Sequence, residues 1–347
     1  MEDRKKKTVT FGEIMLRLAT PGYSRFVQTG QFDATYGGGE ANVAVALAGY
    51  GLESYFVTRL PENDIGQAAL NAVRQYGVHT EYIARGGDRV GIYFLETGAS
   101  QRGSKVIYDR SGSAVTKIRP DMINWEAVFE GADWFHWTGI TPALGKDAQD
   151  CLEVACKAAK QAGVTISCDL NYRKKLWTES QAQAVMNPLM EYVDVCIANE
   201  EDIHKSLGFK AGATDVEAAE LDEDGYFKLA DSIKQKYDFD TVAITLRESY
   251  SASHNGWSAI LLDDKECSKP VRSQRYDIQI VDRVGGGDSF ASGLIYGLLS
   301  IDDTREALEY AVAASCLKHT IPGDFNLVKK EEVWSLAKGG GSGRVER

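Results

Sequence analysis

Ile280-Val281-Asp282-Arg283-Val284-Gly285-Gly286-Gly287-Asp288 is the stretch on which the fold turns. The apolar run Ile278 to Val281 reads as a strand, and Phe290, Leu294, Ile295 and Leu298 recur at helical spacing after the glycines. A strand therefore runs into a glycine loop, and the loop into a helix. Three residues without side chains let backbone N–H groups close around an anion, and the helix N-terminus adds partial positive charge. Such a bowl suits the charge on a phosphoryl group in transfer. Two roles fit Asp288: a cap on the helix, or a base that accepts the proton of an attacking hydroxyl. The loop does not end in Gly-Lys-Ser/Thr, and no G-x-G-x-x-G follows the first strand, so neither the P-loop nor the dinucleotide fingerprint is present.

Outward from this stretch, strand-like and helix-like segments alternate. Tyr55 to Leu60, Trp134 to Ile140, Val164 to Asp169, Val193 to Ala198 and Thr241 to Leu246 read as strands. Ile65 to Tyr76, Lys146 to Ala162 and Tyr226 to Tyr237 read as helices, the first with Ile65, Ala69, Ala72, Val73 and Tyr76 on one face. The alternation predicts an α/β fold, a mostly parallel sheet between two helical layers. Phe11 to Tyr36 and Gly87 to Ser113 break the rhythm with short β-rich runs, among them Gly91 to Glu96 and Lys105 to Arg110. These two stretches are expected to meet as a small β-sheet lid. The expected division is a core of residues 8–10, 37–86 and 114–338, a lid of 11–36 and 87–113, and a flexible Gly/Ser-rich tail, 339–347.

Composition narrows the function. The chain has 347 residues and a formal net charge of -11, which speaks against nucleic acid as a partner, since that needs clustered Lys and Arg. The basic run Arg4 to Lys7 is short and reads as a solvated tail. Six cysteines occur without a CxxC pair, which predicts buried thiols, Cys168 and Cys196 among them, in a reducing compartment. The first residues are charged and no apolar run reaches the ~18 residues of a membrane span. The expectation is a cytoplasmic protein with no membrane partner. The His residues stand singly, and His136 between Trp134 and Trp137 is expected in the core rather than on a metal.

A second glycine cluster, Gly37-Gly38-Gly39-Glu40-Ala41-Asn42, precedes a helix rich in alanine. Close packing explains the small residues; equally, Gly38 and Gly39 form a floor for a polyol, with Asn42 bonding its hydroxyls. Taken together, the two clusters resemble the N- and C-terminal signatures of the ribokinase-like (PfkB-type) carbohydrate kinases, and Asn199-Glu200-Glu201-Asp202 is similar to that family's Asn-x-x-acidic motif. The resemblance spans nearly the whole chain. It implies a ribokinase-like three-layer α/β/α core with a β lid, ATP and Mg²⁺, and Asp288 as base beside an anion hole at Gly285, Gly286 and Gly287. It also implies nucleotide contacts from Asn199, Thr245, Arg247, Gly285, Gly287, Ser315 and Asn326, and metal contacts through water from Asn199 and Asp202. Three departures stand out. Arg283 replaces a usual Thr, which bears on any monovalent-cation site nearby; Asp202 replaces a usual Glu; and Thr245-Leu246-Arg247-Glu248 lacks the family's Lys-x-Gly-x-x-Gly.

The acceptor is read from Tyr93, Tyr108 and Arg110 in the lid stretch and Arg173 after Asp169-Leu170-Asn171-Tyr172. Guanidinium groups hold carboxylates by paired hydrogen bonds, so two of them point to a sugar acid; the alternative is that Arg110 or Arg173 binds only phosphate or a protein carboxylate. Within the family this set is similar to that of the 2-keto-3-deoxygluconate kinases. Alternatives are a fructokinase or ribokinase acting on neutral sugars, and a non-catalytic sugar-acid sensor of the same fold. The lid's sheet edge is expected to favour a homo-oligomer.

Overall fold

Runs such as Trp134-Phe135-His136-Trp137-Thr138 are wholly buried, as strands covered on both faces must be. The computed structural model describes residues 4–209, 223–263 and 270–340. The main sheet runs, edge to edge, through Val271–Arg272, His254–Asp263, Thr241–Ser251, Val195–Ala198, Thr165–Asp169, Trp134–Thr138, Lys7–Phe11 and Glu53–Val57, and Tyr276–Gln279 also pairs with His254–Asp263. The strands from Glu53–Val57 to Thr241–Ser251 are parallel, and the far edge is antiparallel.

Helices cover both faces. Lys146–Gln161, Glu179–Leu189, Glu200–Leu207 and Glu223–Tyr237 bury their apolar sides against one, through residues such as Leu152, Met186, Ile203 and Ile233. Gly39–Gly49, Gly286–Ser300, Thr304–Lys318 and Lys330–Ala337 cover the other, through Leu47, Phe290, Leu294 and Val312. This is the expected three-layer α/β/α fold.

A separate four-stranded sheet orders Asp33–Gly37, Met15–Ala19, Gly91–Glu96 and Lys105–Asp109. Its inner face carries Met15, Ala19, Tyr93 and Leu95, and Val284 of the glycine loop packs against them. The lid therefore rests on the loop that decides the fold. Among the described residues, no helix is long and apolar enough to cross a membrane.

Three expectations shift. The Asp64–Arg74 helix buries Ala69, Leu70, Ala72 and Val73, while Ile65 is 50% exposed and Tyr76 lies past its end. Asn63 caps the helix one residue before Asp64, and that phase turns Leu70 inward in place of Ile65. The strand before the glycine loop ends at Gln279, because the Val281 and Asp282 amides bond to His319 rather than to a strand. The Thr241 strand continues to Ser251 as one arm of a long hairpin with His254–Asp263. Of the expected tail, residues 341–347 lie outside the described residues.

Candidate active site

The parallel strands place their carboxyl ends together: Asp169 stands opposite Thr138 on one side and Ile197 on the other. Past Asp169 the chain turns through buried Asn171 at φ 37°, a left-handed conformation that Asn tolerates, and brings exposed Arg173 into a cleft. Past Ala198, Asn199 caps the Glu200–Leu207 helix, accepting from the Asp202 amide and donating to the Asp202 carboxylate at 2.9 Å. The cleft holds about 1760 Å³, more than one small ligand fills. Gly38, Gly39, Asn42, Tyr93, Tyr108, Arg110, Arg173, Asn199, Asp202, Thr245, Arg247 and the Gly285–Asp288 loop all line it.

The three loop glycines stand in three different surroundings. Gly285 has φ 82°, and a side chain there would meet the Asp324 carbonyl at 2.2 Å. One on Gly286 would meet the His319 ring at 2.5 Å. Gly287 faces open space on the cleft, so no protein contact requires it bare. Asp282 fixes the loop from behind, accepting from the Val284 and Gly323 amides, both at 3.0 Å.

Asp288 does not cap its helix, whose N-cap is Gly285 with no side-chain cap bond; its carboxylate instead accepts from Asn42 Nδ2 at 2.6 Å. Burial pushes its pKa up to about 6, against the opposing pull of Asn42 and Arg173. Burial likewise raises Asp202 to about 6 and Asp169 well above the carboxylate range, the latter with added repulsion from Asp202 and Asp288. Among the described residues no group of three His, Cys, Asp or Glu is placed to hold a metal ion.

Several expected contacts are used within the protein. Asn42 braces Asp288 and the Gly38 amide rather than standing free for hydroxyls. Tyr93 donates its hydroxyl to Asp324 at 2.5 Å. Arg110 is not a free anchor: Nε and Nη2 bond Glu13, because a buried guanidinium needs a counter-charge. It still lines the cleft, 5.4 Å from the ring of half-exposed Tyr108. Ser315 and Asn326 do not reach the cleft. Ser315 donates to the Gly286 carbonyl from behind the loop, and Asn326 donates to the Tyr50 hydroxyl.

Sequence reasoning missed Glu13, Arg17, Asp324 and Lys318. Arg17 sits between Met15 and Ala19 on the inner face of a lid strand, and a charge at an inward position was its signal. Asp324 gathers Arg17, Tyr93 and the Gly285 backbone around one side chain and its carbonyl, a convergence no local pattern shows.

A loop of bare amides, a carboxylate able to hold a proton near neutrality and a lid over a two-ligand cleft define a phosphotransferase with a small-molecule acceptor. The chain belongs to the pfkB family carbohydrate kinases, whose pattern matches residues 5–329. It is 34% identical to a 2-dehydro-3-deoxygalactonokinase of Haloferax volcanii, over 96% of this chain and 98% of that one. It is 29% identical to a 2-dehydro-3-deoxygluconokinase of Thermoproteus tenax, over 91% of this chain and 89% of that one. The crystal structure of a 2-dehydro-3-deoxygluconokinase from Thermotoga maritima is 56% identical, with a TM-score of 0.92 over 97% of this chain and 99% of that one.

Proposed function

We infer that this kinase transfers the γ-phosphoryl group of ATP to the 6-hydroxyl of 2-keto-3-deoxy-D-gluconate, giving 2-keto-3-deoxy-6-phosphogluconate and ADP. The observation that carries this reading is Arg173, a guanidinium that faces the same cleft as Asp288 and, among the described residues, makes one side-chain hydrogen bond, 3.4 Å to the Tyr172 carbonyl. A sugar acid offers it a carboxylate; a neutral sugar does not. Two of the relatives above are named for the gluconate acid and one for its galactonate epimer, which supports a keto-deoxy sugar acid.

The acid lies on Gly38 and Gly39, its carboxylate and keto end toward Arg110, Arg173 and Tyr108. Asp288 takes the proton of the 6-hydroxyl as its oxygen bonds the γ-phosphorus and the bond to ADP breaks. The Gly285–Gly287 amides hold the charge of the transferring group. Asp202, braced by Asn199, and Asp169 would hold Mg²⁺, which supplies charge compensation between the phosphates. Thr245 and Arg247 face the nucleotide, and the lid keeps water from the reacting atoms. The protein works in the cytoplasm.

ADP release with MgATP, measured against 2-keto-3-deoxygluconate, its galactonate epimer, ribose and fructose, tests the acceptor. A keto-deoxy acid is expected to give the highest kcat/KM by about tenfold or more, the worth of one charge-assisted pair. Preference for ribose or fructose would contradict the reading.

A further inference from the structure

Behind the glycine loop lie two buried cations that the transfer step leaves unused. Lys318, the last residue of its helix, is 0% exposed. Its Nζ donates to the Ile321 carbonyl at 3.2 Å, and its Cε lies 3.3 Å from where a side chain on Gly285 would begin. Burial pulls the Lys318 pKa down, and the carboxylates of Asp282, Asp324 and Asp288 oppose that pull. Arg17 enters from the lid, donating from Nη1 to Asp324 at 2.8 Å and from Nη2 to Asp282 at 2.5 Å.

Charge counting decides what else this cluster can take up. Arg17 and Lys318 face Asp282 and Asp324, and Asp288, the weakest of the three carboxylate pulls on Lys318, is bonded by Asn42. An added hard cation needs spare negative charge and several free oxygens. Here each carboxylate oxygen is already bonded: those of Asp282 to Val284, Gly323 and Arg17, those of Asp324 to Arg17 and Tyr93. The Ile321 carbonyl is taken by Lys318. Arg283 and Arg247 repel each other nearby and add positive charge. The residues present do not fit the monovalent cation that the family resemblance brought into question.

We propose that Lys318 is the built-in cation of the glycine loop, acting with Arg17 in place of a bound monovalent cation, so that the kinase turns over without potassium or ammonium. Lys318 is a positioning residue: it acts through the Gly285 backbone and touches no reacting atom. The proposal rests on the loop's being the phosphoryl-transfer site.

The full chain is assayed with MgATP and the acid acceptor in potassium, ammonium, sodium or tetramethylammonium chloride at equal ionic strength. Wild-type kcat is expected to agree within about twofold across the four, less than 1 kcal/mol. Activation by potassium or ammonium of about tenfold or more overturns the proposal. Lys318→Met, which removes a charge acting through the Gly285 backbone rather than on the transferring group, is expected to lose about tenfold or more in kcat, less than the loss of a direct oxyanion donor. Ammonium or methylammonium then restores part of that loss, which a purely structural role would not allow. A folded Lys318→Met variant with wild-type kcat in tetramethylammonium also overturns it. If that variant does not fold, the wild-type salt series decides. Absence of turnover with every acceptor counts against the proposed acceptor alone, since MgATP affinity by calorimetry in the four salts still reads the cation.

Discussion

At the scale of single residues, the site works by keeping carboxylates short of partners. Asp288 is half-buried, bonded by the Asn42 amide and pushed up to about 6 by desolvation. As a base it acts only when ionised, so activity is present above that value and lost as pH falls through it. A pH profile of kcat/KM should show an acid limb near pH 6; a flat profile down to pH 4.5 would remove Asp288 from that role. Arg110 invites a second experiment. It faces the cleft, yet Glu13 holds it and Ser113 donates to the same carboxylate at 2.6 Å. Arg110→Met strips buried Glu13 of its counter-charge and should lower Tm; in the folded variant KM for the keto-deoxy acid should rise about tenfold or more with kcat nearly unchanged. An equal rise for fructose would show that Arg110 shapes the cleft rather than reading a carboxylate.

At the scale of elements, the glycine loop and its helix were legible because their signals are local. Three glycines between an apolar run and a helical repeat announce a backbone that must come close to something. Structure adds what each comes close to, and two substitutions separate packing from ligand. Gly286→Ala drives a methyl into the His319 ring and should cost about 1–3 kcal/mol, read as a lowered Tm. Gly287→Ala meets nothing and suits a helix better, so its Tm should hold or rise while MgATP binding weakens about tenfold. The hairpin of Thr241–Ser251 with His254–Asp263 was read short. Past Leu246 the first arm, Arg247 to Ser251, is polar and mostly solvent-facing, and a solvated run carries no apolar signal. The same limit hid the use of Asn42, Tyr93 and Arg110. Their residue types were right for a site, but their partners Asp288, Asp324 and Glu13 lie 97 to 246 residues away in sequence.

At the scale of the whole molecule, the lid and the core are joined through charge as well as apolar contact. Met15 and Tyr93 pack on Val284, and Arg17 reaches past them to Asp282 and Asp324. The cleft below gathers Asp169, Asp202 and Asp288, each holding its proton to a higher pH than an unfolded chain would. Ionising Asp202 and Asp288 therefore costs stability as pH rises from the ordinary carboxylate range through about 6, and a bound cation relieves that cost. MgADP should raise Tm by a few degrees at pH 8, since ligand at about a hundred times Kd adds roughly 2.7 kcal/mol. The rise should shrink at pH 5.5, where Asp202 and Asp288 are protonated. An equal rise at both values would mean that these carboxylates do not meet the metal.

The central claim is that one carboxylate beside a bowl of amides takes the acceptor's proton. Asp288→Asn tests it most directly, with single-turnover transfer from MgATP and acceptor affinity by calorimetry measured on the same preparation. Transfer should slow by roughly 10²–10⁴-fold with acceptor affinity kept. Transfer at the wild-type rate would contradict the account.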